Sequence, residues 1–382
     1  MSSGAPGYYI GIISGTSVDA IDCALIETGR GDTRLVARYA GNLPDPLRQR
    51  ILDLCQQPQI SLRALGELNV EIGQLFAQCA NELVTQQNLS VDQISAIGSH
   101  GQTVFHHPVG KFPFSMQIGD PNSIAQLTGI TTIADFRQRD VVAGGQGAPL
   151  APLFHQHFFY AAERCRAVLN IGGMANITWL DSEPGGTPRG FDTGPGNVLM
   201  DGWIQRHREQ AYDADGQWAA SGTVVPELLK RMLSDHYFDM PAPKSTGREL
   251  FNLAWLDAHL HDMSLTSSVR PQDVQMTLLE LSAVSIADAI NKSRPAERGH
   301  LSHDLLVCGG GAHNGLLVTR LRQLLPDFQV NNTSHHGLDP DWVEAATFAW
   351  LASQTLARRS FDGKVLTGAD TSVILGGVYY AN

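Results

Sequence analysis

The chain has 382 residues, of which 43% are hydrophobic and 17% charged, which suits two globular domains with sizeable cores and excludes a disordered chain. A net charge of -11, from 27 basic and 38 acidic residues, argues against a nucleic-acid or anionic-membrane partner. No apolar run reaches the ~18 residues of a membrane crossing; Met1–Gly7 lacks the basic and apolar regions of a secretory leader; and five scattered cysteines form no CxxC pair, so a cytoplasmic location with reduced thiols is expected.

Tyr8–Ser14 and Ile21–Glu27 read as two strands of a hairpin whose tip carries Gly15, Thr16, Ser17 and Asp19. Two hydroxyls with backbone N–H groups can donate to phosphate oxygens, and Asp19 can hold a hydrated Mg²⁺ beside them; the same residues also suit a plain polar tip. No Gly-Lys-Ser/Thr follows, so this is not a Walker loop. Helical spacing of Leu62, Leu65, Leu68, Ile72, Leu75 and Phe76 predicts two amphipathic helices within 46–88. Ile94–Gly98 reads as a strand leading into a polar loop, Ser99-His100-Gly101-Gln102-Thr103, where His100 either meets a ligand or is satisfied within the loop. Ser123–Thr128 reads as a helix and Ile130–Ala134 as a strand. Asp135-Phe136-Arg137-Gln138-Arg139-Asp140 then offers either an arginine clamp for an anion or an internal Arg–Asp network. The glycines of 141–149 make that stretch a candidate hinge.

Leu153–Ala162 has helical spacing. Ala167–Ile171, the Gly172-Gly173-Met174 turn and Ala175–Leu180 repeat the apolar strand, glycine tip and apolar strand of the opening, which suggests two related halves. Gly190-Phe191-Asp192-Thr193-Gly194-Pro195-Gly196-Asn197 follows as a loop that brings backbone close to a ligand and aims Asp192 at it, or else is an ordinary turn. A helix over Asn197–Arg208 would point its N-terminus at that loop and favour an anion there. Residues 209–255 read as irregular. Within them Lys244-Ser245-Thr246-Gly247-Arg248-Glu249 lacks the glycine spacing of a P-loop, though Lys244 or Arg248 can still reach a ligand. Leu278–Ile290 reads as a helix. Asp304–Cys308, Gly309-Gly310-Gly311 and Gly315–Leu325 form a strand, glycine turn and helix on whose bare backbone a nucleotide can lie. Asp341–Ala357 reads as a helix and Val373–Tyr380 as a closing strand.

The order of these parts resembles the actin, hexokinase and Hsp70 superfamily. That resemblance implies an α/β chain of two ribonuclease-H-like domains facing an ATP and sugar cleft, here 1–140 with 368–382 and 141–367. Within the superfamily the chain is similar to the 1,6-anhydro-N-acetylmuramic acid kinase family. The similarity is carried by Ser14–Ser17 with Asp19, Ser99–Thr103, Ala134–Arg137, Gly144–Leu150, Leu169–Gly173, Gly190–Asn197, Lys244–Glu249 and Val307–Gly311, in family order along the whole length. Ala20 departs from the family's usual glycine after the Asp. The resemblance implies ATP and Mg²⁺ as cofactors, a small anhydro amino sugar as substrate and a homodimer. It implies Asp192 as general base, and Gly15, Thr16, Ser17, Val18, Asp19, Ala20, Ile21, Asp22, Gly172, Gly173, Gly309, Gly310 and Gly311 at ATP. Asp19 would bind Mg²⁺ through water, and His100, Arg137 and Glu344 would touch the sugar. Its reaction would use water to open the anhydro bridge while O6 takes the γ-phosphoryl group. The alternatives are an ordinary hexose or N-acetylhexosamine kinase of the same superfamily and a nonenzymatic ATP-switched binding protein.

Overall fold

The opening alternation builds the expected hairpin. β1 (Gly7–Ser14) pairs antiparallel with β2 (Ala20–Gly29), setting Ile10 against Leu25 and Ile12 against Cys23, all fully buried. The computed structural model describes residues 7–15, 18–29, 32–57, 59–181, 183, 185–262, 269–295 and 302–381. β3 (Asp32–Asn42) extends the hairpin on the far side of β2. Its charged, weakly alternating sequence hides it from a reading by periodicity. The two expected amphipathic helices are Asp45–Gln56 and Leu62–Gln86, and Leu68, Ile72, Phe76 and Leu83 of the second pack on Ile10, Ile12 and Ile97.

β4 (Ile94–His107) runs parallel to β1 and continues through the segment expected to be a loop. The chain tolerates His100 and Gly101 inside the strand because the ladder slips there: Ile12 pairs with Ser99 and Ile13 with Gly101, whose φ of 80° suits glycine. β5 (Phe114–Ile118) folds back on β4. β6 (Thr132–Ala134) runs parallel to β4, and β12 (Gly377–Tyr379) closes that edge.

In the second half β7 (Arg164–Ile171), β8 (Met174–Trp179) and β9 (Arg189–Pro195) form an antiparallel run. β10 (Ser302–Cys308) lies parallel to β7, and β11 (Phe328–Asn332) parallel to β10. The sheet orders are β6-β4-β1-β2-β3 and β11-β10-β7-β8-β9 once β5 and β12 are set aside. Strand for strand and direction for direction these are one topology used twice. Each is a ribonuclease-H-like sheet, and the repeated glycine-tipped hairpin was its visible trace in the sequence.

Residues up to 154 with those from 342 onward form one compact unit, and 155–341 the other. The helix Val343–Leu356, expected with the second half, packs on β1, β2 and β4 of the first. The reason is steric: Gly11 and Gly98 have no side chain, and a Cβ on either would land on the backbone carbonyl of Ala345 or Phe348. In the second unit the helix Pro271–Ser293 is buried around much of its circumference, with Leu278, Leu279, Leu281, Ile286 and Ile290 inside. Short helices at Gln217–Ala220, Pro226–Leu233 and His236–Asp239 order the stretch that reads as irregular.

Candidate active site

Asp192 lies on β9 rather than in a free loop. The strand accommodates Pro195 because β9 is the sheet edge and Pro195 is its last residue. The register sets Asp192 opposite Asn176 of β8, which stands opposite Asn170 of β7. Paired residues share a face, so the three polar side chains form a row across the sheet.

The outer edge of β9 is covered by the Lys244–Thr246 segment. Asp192 N–H donates to Lys244 O at 2.9 Å, Thr246 N–H donates to Asp192 Oδ2 at 3.0 Å, and Tyr237 Oη–H donates to Asp192 O at 2.7 Å. Oδ1 has no hydrogen-bond partner among the described residues. Burial pushes this carboxyl up to about 6; the Thr246 N–H opposes the rise and the charge of Glu249 adds to it. A carboxylate with one oxygen anchored, one free and a pKa near neutrality suits a general base. Lys244, expected to reach a ligand, is turned inward: Nζ donates to Tyr237 O at 2.7 Å and lies 4.4 Å from the centre of the Tyr237 ring. The charge of Arg248 acts on Asp201, whose carboxyl burial pushes up to about 7 against the pull of that guanidinium.

β7, β9 and β10 end on the same side of this sheet, and the glycine motifs gather there. The Gly172–Gly173 tip is fixed by Gly196 N–H and Val198 N–H to Gly173 O (2.9 and 3.1 Å) and by Asn197 N–H to Gly172 O (2.8 Å). The N–H groups of the N-cap Asn197 and of the first helical residue, Val198, thus join the start of the helix Val198–Arg208 to the tip. Gly309 has φ 76°, and a Cβ there would strike the Asn170 side chain; one on Gly311 would strike Ile171. Those two glycines serve packing. Gly310, Gly172 and Gly173 differ: the nearest atoms to a Cβ are at 3.9, 3.7 and 3.9 Å, so their backbone is bare. Bare glycine backbone beyond the ends of parallel strands is where α/β folds admit a phosphate or nucleotide.

In the first unit Thr16 and Ser17 fall outside the described residues. Gly15 O accepts from Val18 N–H at 3.1 Å, and Val18, buried and β-branched, adopts φ 53°. Such a residue in the left-handed region is an outlier, held here by its burial and by Arg48 Nε–H donating to Val18 O at 2.9 Å. Asp19 is exposed, whereas Ile21 belongs to the core. Ala20 and Asp22 are half-buried at the start of β2.

His100, Arg137 and Glu344 converge although 244 positions separate the first from the last. Arg137 Nε–H donates to His100 Nε2 at 2.8 Å, His100 Nδ1 lies 2.9 Å from Gly101 O, and the imidazole packs 4.6 Å from the Phe348 ring. Burial and then the guanidinium hold His100 neutral, so its tautomer carries the proton on Nδ1. Both ring nitrogens are therefore engaged inside the protein. Arg137 Nη1 donates to Gly147 O at 2.9 Å; burial lowers its pKa while the charges of Glu344 and Asp140 support its ionisation. The Asp140 carboxylate ties down the glycine-rich turn, accepting from Gly147 N–H and Thr367 Oγ1, each at 2.7 Å.

Sequence reasoning missed Tyr237, Asn176 and the role of Thr246. The run Lys244–Glu249 was visible, but its contact with Asp192, 52 to 54 positions away in sequence, depends on the chain folding back on the sheet edge.

The sequence matches the family described as Anhydro-N-acetylmuramic acid kinase over residues 7–381. An "Anhydro-N-acetylmuramic acid kinase" of Pasteurella multocida is 48% identical over 372 residues, 97% of this chain and 96% of that protein. One of the same name from Photobacterium profundum is 47% identical over 376 residues, 98% of this chain and 99% of that protein. Among solved structures, an activator of the 2-hydroxyisocaproyl-CoA dehydratase from Clostridium difficile with bound ADPNP aligns over 90% of this chain and 92% of its own at 12% identity and TM-score 0.44. The full-length family match and the relatives at 47–48% identity make this chain a member of the anhydro-N-acetylmuramic acid kinase family, and so a kinase.

Proposed function

We propose that the protein uses ATP and water to convert 1,6-anhydro-N-acetylmuramic acid into N-acetylmuramate 6-phosphate and ADP, a step of cell-wall recycling. The observation that carries the reading is Asp192, with Oδ1 free and its pKa raised to about 6. In the anhydro sugar O6 is bonded to C1, so no 6-hydroxyl exists for a base to deprotonate. Asp192 takes a proton from water, the water oxygen bonds to C1, and the C1–O6 bond breaks. O6 bonds to the γ-phosphorus, and the bridging oxygen leaves with ADP. Gly172, Gly173 and Gly310 offer backbone to the nucleotide in the second unit, where Gly309 and Gly311 shape the turn. Gly15, Thr16, Ser17, Asp19, Ala20 and Asp22 do so in the first, while Val18 and Ile21, both buried, support the hairpin from the core side. His100, Arg137 and Glu344 form one polar cluster for the sugar, with Arg137 as its charged donor.

Among the described residues no cluster of three or more His, Cys, Asp or Glu side chains could hold a metal. A single exposed carboxylate, Asp19, fits Mg²⁺ that keeps its waters and arrives with the nucleotide. When bound, Mg²⁺ neutralises phosphate charge as the phosphoryl group transfers.

The test is incubation with ATP, Mg²⁺ and 1,6-anhydro-N-acetylmuramic acid in ¹⁸O-water. A phosphorylated sugar with ¹⁸O at C1 is expected. Phosphorylation of free hexoses or N-acetylhexosamines without action on the anhydro sugar selects an ordinary kinase, and ATP binding without turnover selects a switch protein.

A further inference from the structure

Resting on that reading of Asp192, we infer that the segment Lys244–Glu249 is a positioning clamp that sets both the aim and the basicity of the base. Four hydrogen bonds close a ring around Asp192. Its N–H is held by Lys244 O, its carbonyl by Tyr237 Oη, and its Oδ2 by Thr246 N–H; Lys244 Nζ closes the ring on Tyr237 O. Lys244 is 9% exposed, and a buried ammonium is costly unless it is paired. Its partners are the carbonyls of Tyr237 and Phe238 and the Tyr237 ring face. The ammonium therefore pins Tyr237 and the 244–246 backbone together, and both of these grip Asp192.

The same segment tunes the carboxyl in two opposed directions. Thr246 N–H stabilises the anion. Glu249 folds back over Gly247, where an added Cβ would meet its carboxylate, and brings a like charge to the same turn. The other groups around this site do not duplicate that pair. Asn176 across the strand is neutral, as are Ser282 and Ser285 on the helix behind. Tyr237 is kept protonated by burial and by Asp192, and Asp239 and Lys292 act on Lys244. The charge of Arg248 acts on Asp201. The Thr246 hydroxyl is buried without a partner among the described residues and adds no charge.

The test is the pH dependence of kcat and KM for Glu249→Gln, Lys244→Met and Lys244→Arg in the full-length protein. Glu249→Gln should move the acidic limb of the profile to lower pH. Lys244→Met should loosen the Thr246 N–H bond, move the limb to higher pH and lower kcat by roughly 10- to 100-fold, with KM for ATP unchanged. Lys244→Arg, which can still donate to the carbonyls, should restore part of the kcat. Shifts of opposite sign are not what a merely structural segment produces. Coincident limbs in Glu249→Gln and wild type overturn the clamp. That variant is at an exposed position, so it decides the matter even if Lys244→Met fails to fold. Wild-type protein that does not turn over the anhydro sugar refutes the function instead and leaves no limb to shift, so the two failures are distinguishable.

Discussion

Asp192→Asn should make the protein more stable as it makes it inactive, and the two effects should share one pH dependence. Burial raises this carboxyl from its ordinary value of 3.8 to about 6. A folded-state pKa above the unfolded one means that the folded chain resists ionisation. The native state therefore loses stability as pH rises from about 4 to about 6 and carries the full cost above that. At 1.36 kcal/mol per pH unit the gap amounts to about 3 kcal/mol at neutrality. Asparagine removes the charge and keeps an oxygen for Thr246 N–H, so the cavity and that bond are preserved. A unit of this size shifts by ~2–4 °C per kcal/mol, which gives an increase on the order of 6–12 °C. Four of the six tryptophans, Trp179, Trp203, Trp218 and Trp255, lie in the second unit and Trp342 and Trp350 in the first, so tryptophan fluorescence is weighted toward the melting of the second unit. Measured at pH 7.5 and at pH 4.5, the gain should be large at the first and small at the second. Turnover should fall by about 10²–10⁴ at pH 7.5. A gain that is absent at pH 7.5, or equal at both pH values, refutes the claim that Asp192 is held in a strained ionised form.

The glycines separate into two classes that substitution distinguishes. Gly310→Ala meets open space and should leave the melting temperature within about 1 °C while raising KM for ATP, measured by initial rates. Gly309→Ala places a side chain at φ 76° against Asn170 and should reduce soluble, folded protein, as judged by circular dichroism. Gly11→Ala drives a methyl into the Ala345 carbonyl on the helix Val343–Leu356 and should cost at least ~3 kcal/mol in urea unfolding. Chelating divalent cations with EDTA should abolish turnover, with recovery on adding Mg²⁺.

Much of the fold was legible because its apolar runs are local. The hairpins, the helices at 45–56, 62–86 and 271–293, and the β10–glycine–helix unit follow from periodicity over a few residues. What was hidden depends on partners far along the chain. β4 continues through His100 and Gly101 only because a bulge against β1 absorbs them. Val343–Leu356 joins the first sheet because two glycines on β1 and β4 leave room for its backbone, a fit that local pattern does not record. At the site, Asp192 and the glycine tips announced themselves through residue type. Their support did not: Tyr237 carries no local signal, and Lys244, visible as a candidate ligand contact, is turned inward.

The two units use the same strand order, so their difference in chemistry must come from what covers the repeated frame. In the first unit the strand at the hairpin edge is β3, whose residues are mostly exposed or half-buried. In the second, the edge is β9, and the Lys244–Thr246 segment lies along it. An edge strand presents unpaired N–H and C=O groups that need partners. Covering β9 with an ordered segment meets that need and, by the same hydrogen bonds, fixes the one residue whose side chain must point outward with an oxygen free. The acid can be buried enough to become a base near neutral pH without losing its aim, because its backbone is held on one side by the sheet and on the other by the segment. If the edge cover and the chemistry are coupled in this way, loosening the cover should change the pH profile before it changes the melting temperature of the sheet.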